Sequence, residues 1–146
     1  TAKNYHWNDL TMGLLGALDA GADSVLLVDA AANVVEGPGF NVFCIVHGTL
    51  VTPAEGMLEG ITRRTVIEMA RSLGLPVEMR ALPADELRRA QEVFISTSGG
   101  GVLPVTRVDE HPIGDGRPGP ITKRLVQTYW DWHLDPAYSV PIDYAA

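Results

Sequence analysis

The chain has 146 residues, enough for one domain with its own core, and carries a net charge of −7 with a pI of about 4.9. That acidic balance argues against nucleic acid or an anionic membrane as partner, because phosphate-rich surfaces call for a basic footprint. Hydrophobic residues make up 46% and charged residues 20%, an ordinary globular mix, and no apolar run approaches the roughly 18 residues that span a bilayer.

Residues 7–20 read as a helix, with Leu10, Met12, Leu14, Leu15 and Leu18 on a broad apolar face and Gly21 as its stop. Residues 24–28 read as a short strand, 29–33 as a turn, and 34–36 as a further extended piece broken by Gly37-Pro38-Gly39. A strand resumes over 40–46, and His47-Gly48 turns it into a hairpin partner at 49–52. A helix follows over about 62–73, with Ile61, Val66, Ile67, Met69, Ala70 and Leu73 as its apolar side and Gly74 as its stop. Residues 77–82 read as a strand, and Pro83 opens a short helix to residue 90, helped by the acids of its first turn. Strands are expected at 93–96 and 102–108, where Pro104 implies an edge or a break. A loop over 114–120 leads to a last helix at 121–133 carrying Leu125, Val126, Tyr129 and Trp130. Several strands are joined by turns too short for parallel crossovers, so the pattern predicts a mixed or antiparallel α+β domain.

Three loops invite a chemical reading. Gly60-Ile61-Thr62 opens a helix, where free N–H groups and the dipole attract an anion, although the same tripeptide also serves as a plain cap. Thr97-Ser98-Gly99-Gly100-Gly101 follows a strand with hydroxyls and bare N–H groups suited to phosphate or carboxylate; a mobile loop has the same composition. Glu36, in Glu36-Gly37-Pro38-Gly39-Phe40-Asn41, stands in an apolar stretch and needs a partner if buried. Cys44 lies in the apolar run 42–46 and reads as a small core residue. A single cysteine forms no disulfide within the chain, which suits a reducing, cytoplasmic compartment. His6, His47, His111 and His133 are scattered, so no metal is expected. Gly114-x-Gly-x-x-Gly119 mimics a dinucleotide fingerprint but lacks a surrounding βαβ unit and reads as a loop.

Taken in order, Lys3-Asn4, Glu36-Gly-x-Gly-Phe-Asn41, Leu58-x-Gly-Ile-Thr-Arg63, Thr97-Ser-Gly-Gly-Gly-Val-x-Pro104 and Gly114-x-Gly-x-x-Gly-Pro120 resemble the class IV aminotransferases of pyridoxal-phosphate fold type IV. The resemblance spans nearly the whole chain. The opening Lys3-Asn-x-x-Trp7-x-Asp-Leu10, the Gly-Phe-Asn41 variant and the ending Tyr129-Trp130 … Ala137-Tyr138-Ser139 … Ile142-Asp143-Tyr144 are most similar to the (R)-selective amine transaminases. The resemblance implies the large C-terminal domain of the D-amino-acid-aminotransferase-like fold over residues 1–146, a pseudo-barrel of mixed and antiparallel strands with surrounding helices.

It further implies pyridoxal 5'-phosphate as cofactor, joined to Lys3 as a Schiff base, with Glu36 paired to the pyridinium nitrogen. Gly60, Ile61 and Thr62 then match the phosphate-binding helix start, Thr97 a further phosphate-binding hydroxyl, and Leu58 the apolar residue against the ring. Ser98 and Gly99 match the loop bordering the substrate pocket, with Trp7 near it. The implied reaction is amino transfer from an (R)-amine to a keto acid such as pyruvate, with a branched-chain or D-amino-acid transaminase as the alternative. Family members carry a preceding smaller domain, so the expectation is cleavage upstream of Thr1, with the two pieces still associated and paired as a homodimer. Two other classes stay open: a hydrolase using the N-terminal Thr1 as nucleophile, and a non-catalytic binding domain.

Overall fold

The computed structural model describes residues 7–144. Helix α1 (Asn8–Asp19) is followed by an extended stretch and then by β1 (Asn41–Val46), β2 (Thr49–Thr52), α2 (Ile61–Ser72) and β3 (Val77–Met79). The chain continues through α3 (Ala84–Arg88), β4 (Glu92–Thr97), β5 (Gly101–Val105), β6 (Arg107–Val108), β7 (His111–Pro112) and α4 (Pro120–Leu134). Five strands form one sheet in the order β3-β2-β1-β4-β5, and β6 and β7 form a separate ribbon. All pairings are antiparallel except β2 with β3, which are joined by the α2 crossover. Pro104 lies on β5, an edge strand, as its missing N–H requires.

Both faces of the sheet are covered, which explains why β1 is buried along nearly its whole length rather than alternating. On one face Phe43, Ile45, Leu50 and Phe94 pack against Val66, Met69 and Ala70 of α2 and Leu125 and Tyr129 of α4. The rings of Phe43 and Phe94 stack with centroids 5.0 Å apart and planes 7° from parallel, each worth about 1.5–3 kcal/mol in burial alone. On the other face Val42, Cys44, Val51 and Val93 pack against Val34, Leu82, Leu87 and Ile113. Cys44 lies fully in that layer, and burial pushes its thiol up to about 12, with Glu86 raising it further and Arg80 opposing.

Several elements differ from the sequence expectations. Residues 24–28 form only a local ladder, in which Leu27 N–H donates to Glu36 O (2.9 Å) and Val35 N–H to Leu27 O (2.9 Å). The strand expected at 77–82 stops at Met79, because its partner β2 ends at Thr52 and Pro53 has no N–H to extend the ladder; the last backbone bonds are Arg80 N–H to Thr52 O (3.2 Å) and Ala54 N–H to Arg80 O (3.2 Å). The stretch 102–108 splits into β5 and β6. Ile61, expected on the apolar side of α2, is 71% exposed because it heads the helix, outside the packed turns. Trp130 is half exposed, while Leu125 and Tyr129 carry the α4 contact.

The start of α4 is closed from within. Glu92, on β4, accepts hydrogen bonds from Ile121 N–H (3.0 Å), Thr122 N–H (2.7 Å) and Thr122 Oγ1 (2.6 Å). The carboxylate meets the positive end of the helix dipole and satisfies donors that no turn of helix can. Gly119 is the N-cap, and a Cβ there would collide with the Glu92 side chain. The glycine-rich loop that ends at Gly119 thus serves an internal carboxylate.

Glu92→Ala leaves three donors at the α4 start without an acceptor and should cost about 3 kcal/mol in urea unfolding. Cys44 should react with a thiol reagent at least about 100-fold more slowly in the native protein than in denaturant at pH 8; comparable rates in both would contradict its burial.

Candidate functional site

Because β1 and β4 run antiparallel, the start of one lies beside the end of the other, and Asn41 sits directly opposite Ser96. The N terminus of α2 comes down next to this pair. Between them opens a cleft of about 300 Å³, walled by Trp7 and Leu10 at the start of α1, by the turn from Glu36 to Asn41, by Gly56 to Thr62, and by Ser96, Thr97 and Ser98.

The peptide of Leu58 is gripped from two sides. Its N–H donates to Glu36 Oε2 (2.9 Å), and its carbonyl accepts from Asn41 Nδ2 (2.7 Å) and from Gly60 N–H (2.9 Å). Glu36 thereby finds the partner that a part-buried carboxylate needs, and among the described residues no hydrogen bond reaches its Oε1. Close backbone approach explains two glycines here. A Cβ at Gly60 would collide with Asn41 Oδ1, and one at Gly37 with the Phe40 ring and the Val25 carbonyl.

Helix α2 begins at Gly60 in extended conformation (φ −64, ψ 145) with no side-chain cap. The N–H groups of its first turn therefore have no intrahelical acceptor, and the dipole adds positive potential there. Thr62 is buried at this end, whereas Ile61 is exposed and offers mainly its backbone. Arg63 is also buried; its Nη2 donates to Pro53 O (2.8 Å), and its Nε has no partner among the described residues. Burial holds its pKa below the usual arginine range, with Glu59 opposing. An uncapped helix start and the hydroxyl-bearing Ser96, Thr97 and Ser98 lie along this end of the cleft, and donors of this kind are what an anion requires.

Of the residues singled out in the sequence, Trp7, Glu36, Leu58, Gly60, Ile61, Thr62, Thr97 and Ser98 all line this one cleft. Gly99 does not line it and is exposed. Lys3 lies outside the described residues. Asn41, Ser96 and Arg63 went unassigned. Their signal was faint: a polar side chain closing an apolar strand, in Ile95-Ser96, and an arginine within an otherwise apolar helix face. A larger depression of about 580 Å³ lies by β2, β3 and α3, but its Arg80 is already held by Glu86 and Glu78, which raise its pKa. Among the described residues there is no cluster of metal-ligating side chains, and no helix is long and apolar enough to cross a membrane.

Comparison with known proteins agrees with the residue pattern. The profile of the amino-transferase class IV family matches residues 1–108. A Thermotoga maritima protein named "Probable branched-chain-amino-acid aminotransferase" is 41% identical over 107 residues, 72% of this chain and 39% of that protein. A T.th. branched-chain amino acid aminotransferase, crystallised with N-(5'-phosphopyridoxyl)-L-glutamate, superimposes with a TM-score of 0.86 at 36% identity, over 90% of this chain and 46% of that one. The enzyme of the same name from Thermobaculum terrenum, in its PLP form, gives a TM-score of 0.82 at 36% identity, over 86% and 42%. The chain thus spans less than half the length of these relatives. With its fold and its ordered motifs matched over most of its length, this chain belongs to the class IV aminotransferase family.

Proposed function

We propose that this chain is the cofactor-binding half of a pyridoxal-5'-phosphate-dependent transaminase that moves an amino group from a branched-chain amino acid to a keto acid. The observation that carries this reading is the 0.86 TM-score at 36% identity to a branched-chain aminotransferase crystallised with a phosphopyridoxyl adduct. The cleft suits such a group. One end has an uncapped helix start and the buried, unpartnered Ser96 hydroxyl; the other has a part-buried carboxylate.

When bound, the cofactor supplies an electron sink for the substrate carbon. The N–H groups of Ile61 and Thr62, with the Thr62 and Thr97 hydroxyls, bind its phosphate through donors fixed before it arrives. Glu36, oriented by Leu58 N–H, holds a proton on the pyridine nitrogen, because an adjacent negative charge favours the charged form. Leu58, fixed at both sides of its peptide, supplies apolar surface for the ring. Lys3 holds the cofactor covalently, and its Nζ moves the proton at the substrate Cα. That requires a neutral amine, which burial or a cationic neighbour favours.

The relatives reverse the order of substrates read from the sequence. The (R)-amine reading draws on the Lys3-to-Leu10 opening, the Gly-Phe-Asn41 variant and the tyrosine-rich ending, whereas the relatives described above carry branched-chain names. The proposal includes a companion segment, equivalent to the rest of the relatives' length and present as a second fragment, and pairing of the units as a homodimer.

The protein mixed with pyridoxal 5'-phosphate should turn yellow, with a near-visible band that borohydride bleaches by fixing the cofactor on Lys3; Lys3→Ala should abolish both. Assayed with its companion segment, which an SDS gel and intact mass should reveal, it should deaminate leucine and valine faster than (R)-1-phenylethylamine. The opposite preference would restore the (R)-amine reading, and a colourless protein would discard both.

A further inference from the structure

We propose that the Ser96 hydroxyl is a further anion donor of this cleft, completing with the N terminus of α2 the seat for a ligand's phosphate; naming that ligand pyridoxal 5'-phosphate rests on the reading above. Ser96 is 2% exposed, and its Oγ is buried with no hydrogen-bond partner among the described residues. A buried hydroxyl left unpaired destabilises a fold, so its position calls for a function.

Its direction follows from the strand register. Ser96 pairs with Asn41 as Phe94 pairs with Phe43, so both polar residues lie on the α2 face of the sheet. Asn41 bonds to Leu58 O and sits against the Gly60 N-cap, so Ser96 belongs to the same corner. It also lines the cleft together with Gly60, Ile61 and Thr62.

The other end of the same strand shows what such a corner binds. Glu92, two side-chain alternations before Ser96 and on the same face, puts a carboxylate on the donors of Ile121 and Thr122. Helix α2 begins with the same Ile-Thr pair, Ile61-Thr62. There β4 presents a neutral hydroxyl instead of a carboxylate. The anion at α2 is left to a ligand, and the hydroxyl acts as donor to it.

The test compares wild type, Ser96→Ala and Ser96→Thr in three measurements: thermal midpoint without ligand, its rise with inorganic phosphate, and the Kd for pyridoxal 5'-phosphate against unphosphorylated pyridoxal. Ser96→Ala should keep or raise the ligand-free midpoint, since it removes an unpaired buried hydroxyl, and should blunt the phosphate response. Its affinity for pyridoxal 5'-phosphate should fall about tenfold, the size of one hydrogen bond to a charged group, with pyridoxal binding unchanged. Ser96→Thr, which keeps the hydroxyl, should recover most of the loss. A Ser96→Ala protein that melts lower yet answers phosphate and pyridoxal 5'-phosphate like wild type would overturn the inference by showing a structural hydroxyl. So would a wild type that does not respond to phosphate at all. If phosphate sensitivity depends on Ser96 but wild type takes up no pyridoxal 5'-phosphate, the cofactor reading fails and the anion donor stands.

Discussion

The pairing of β1 with β4 sets the rest of the molecule. It places Phe43 on Phe94 at the heart of one layer and Cys44 beside Val93 in the other. A slip of one residue would turn the shifted strand's side chains to the opposite face and part the two rings. The same register brings Asn41 opposite Ser96, and so fixes where the cleft opens. Packing and site geometry share one cause, and stacked aromatic rings hold the polar corner in place.

The two long helices on that face begin alike and are used differently. Each starts with Ile-Thr after a glycine N-cap or a Gly-Pro pair, and each presents bare N–H groups to the end of a strand. At α4 the chain provides its own carboxylate, so that terminus is a structural joint. At α2 the strand residues beside the helix start, Asn41 and Ser96, are uncharged. A helix start is an anion site only where the fold declines to fill it, and the contrast between Glu92 and Ser96 on β4 is where this fold makes that distinction.

Much of this was readable from residue order. Helices α1, α2 and α4, the His47-Gly48 hairpin and the edge position of Pro104 follow from periodicity, turn residues and the missing proline N–H. Glu36 was suspect because a carboxylate in an apolar stretch needs a partner, and Leu58 N–H is that partner. What stayed hidden depends on contacts distant in sequence. The Asn41 bond to Leu58 spans 17 residues and the Glu92 bonds to α4 span 29 and 30, and neither leaves a local pattern. Ile61 misled because apolar periodicity does not tell a first-turn residue from a packed one. The early end of β3 arises from its partner strand, which runs out at Pro53.

Helix α1 contributes to one wall of the cleft yet has no buried residue of its own, with Met12, Leu15 and Leu18 more than half exposed. Gly13 lies close to Val25 and Leu27, a light footing compared with the two-sided burial of β1. Regions with so little burial open far more readily than the centre of a sheet. Amide protons in α1 would therefore exchange with solvent through small local excursions while those of β1 wait for global unfolding. The cleft thus lies between a rigid sheet and a loosely tethered helix that can settle around whatever is bound.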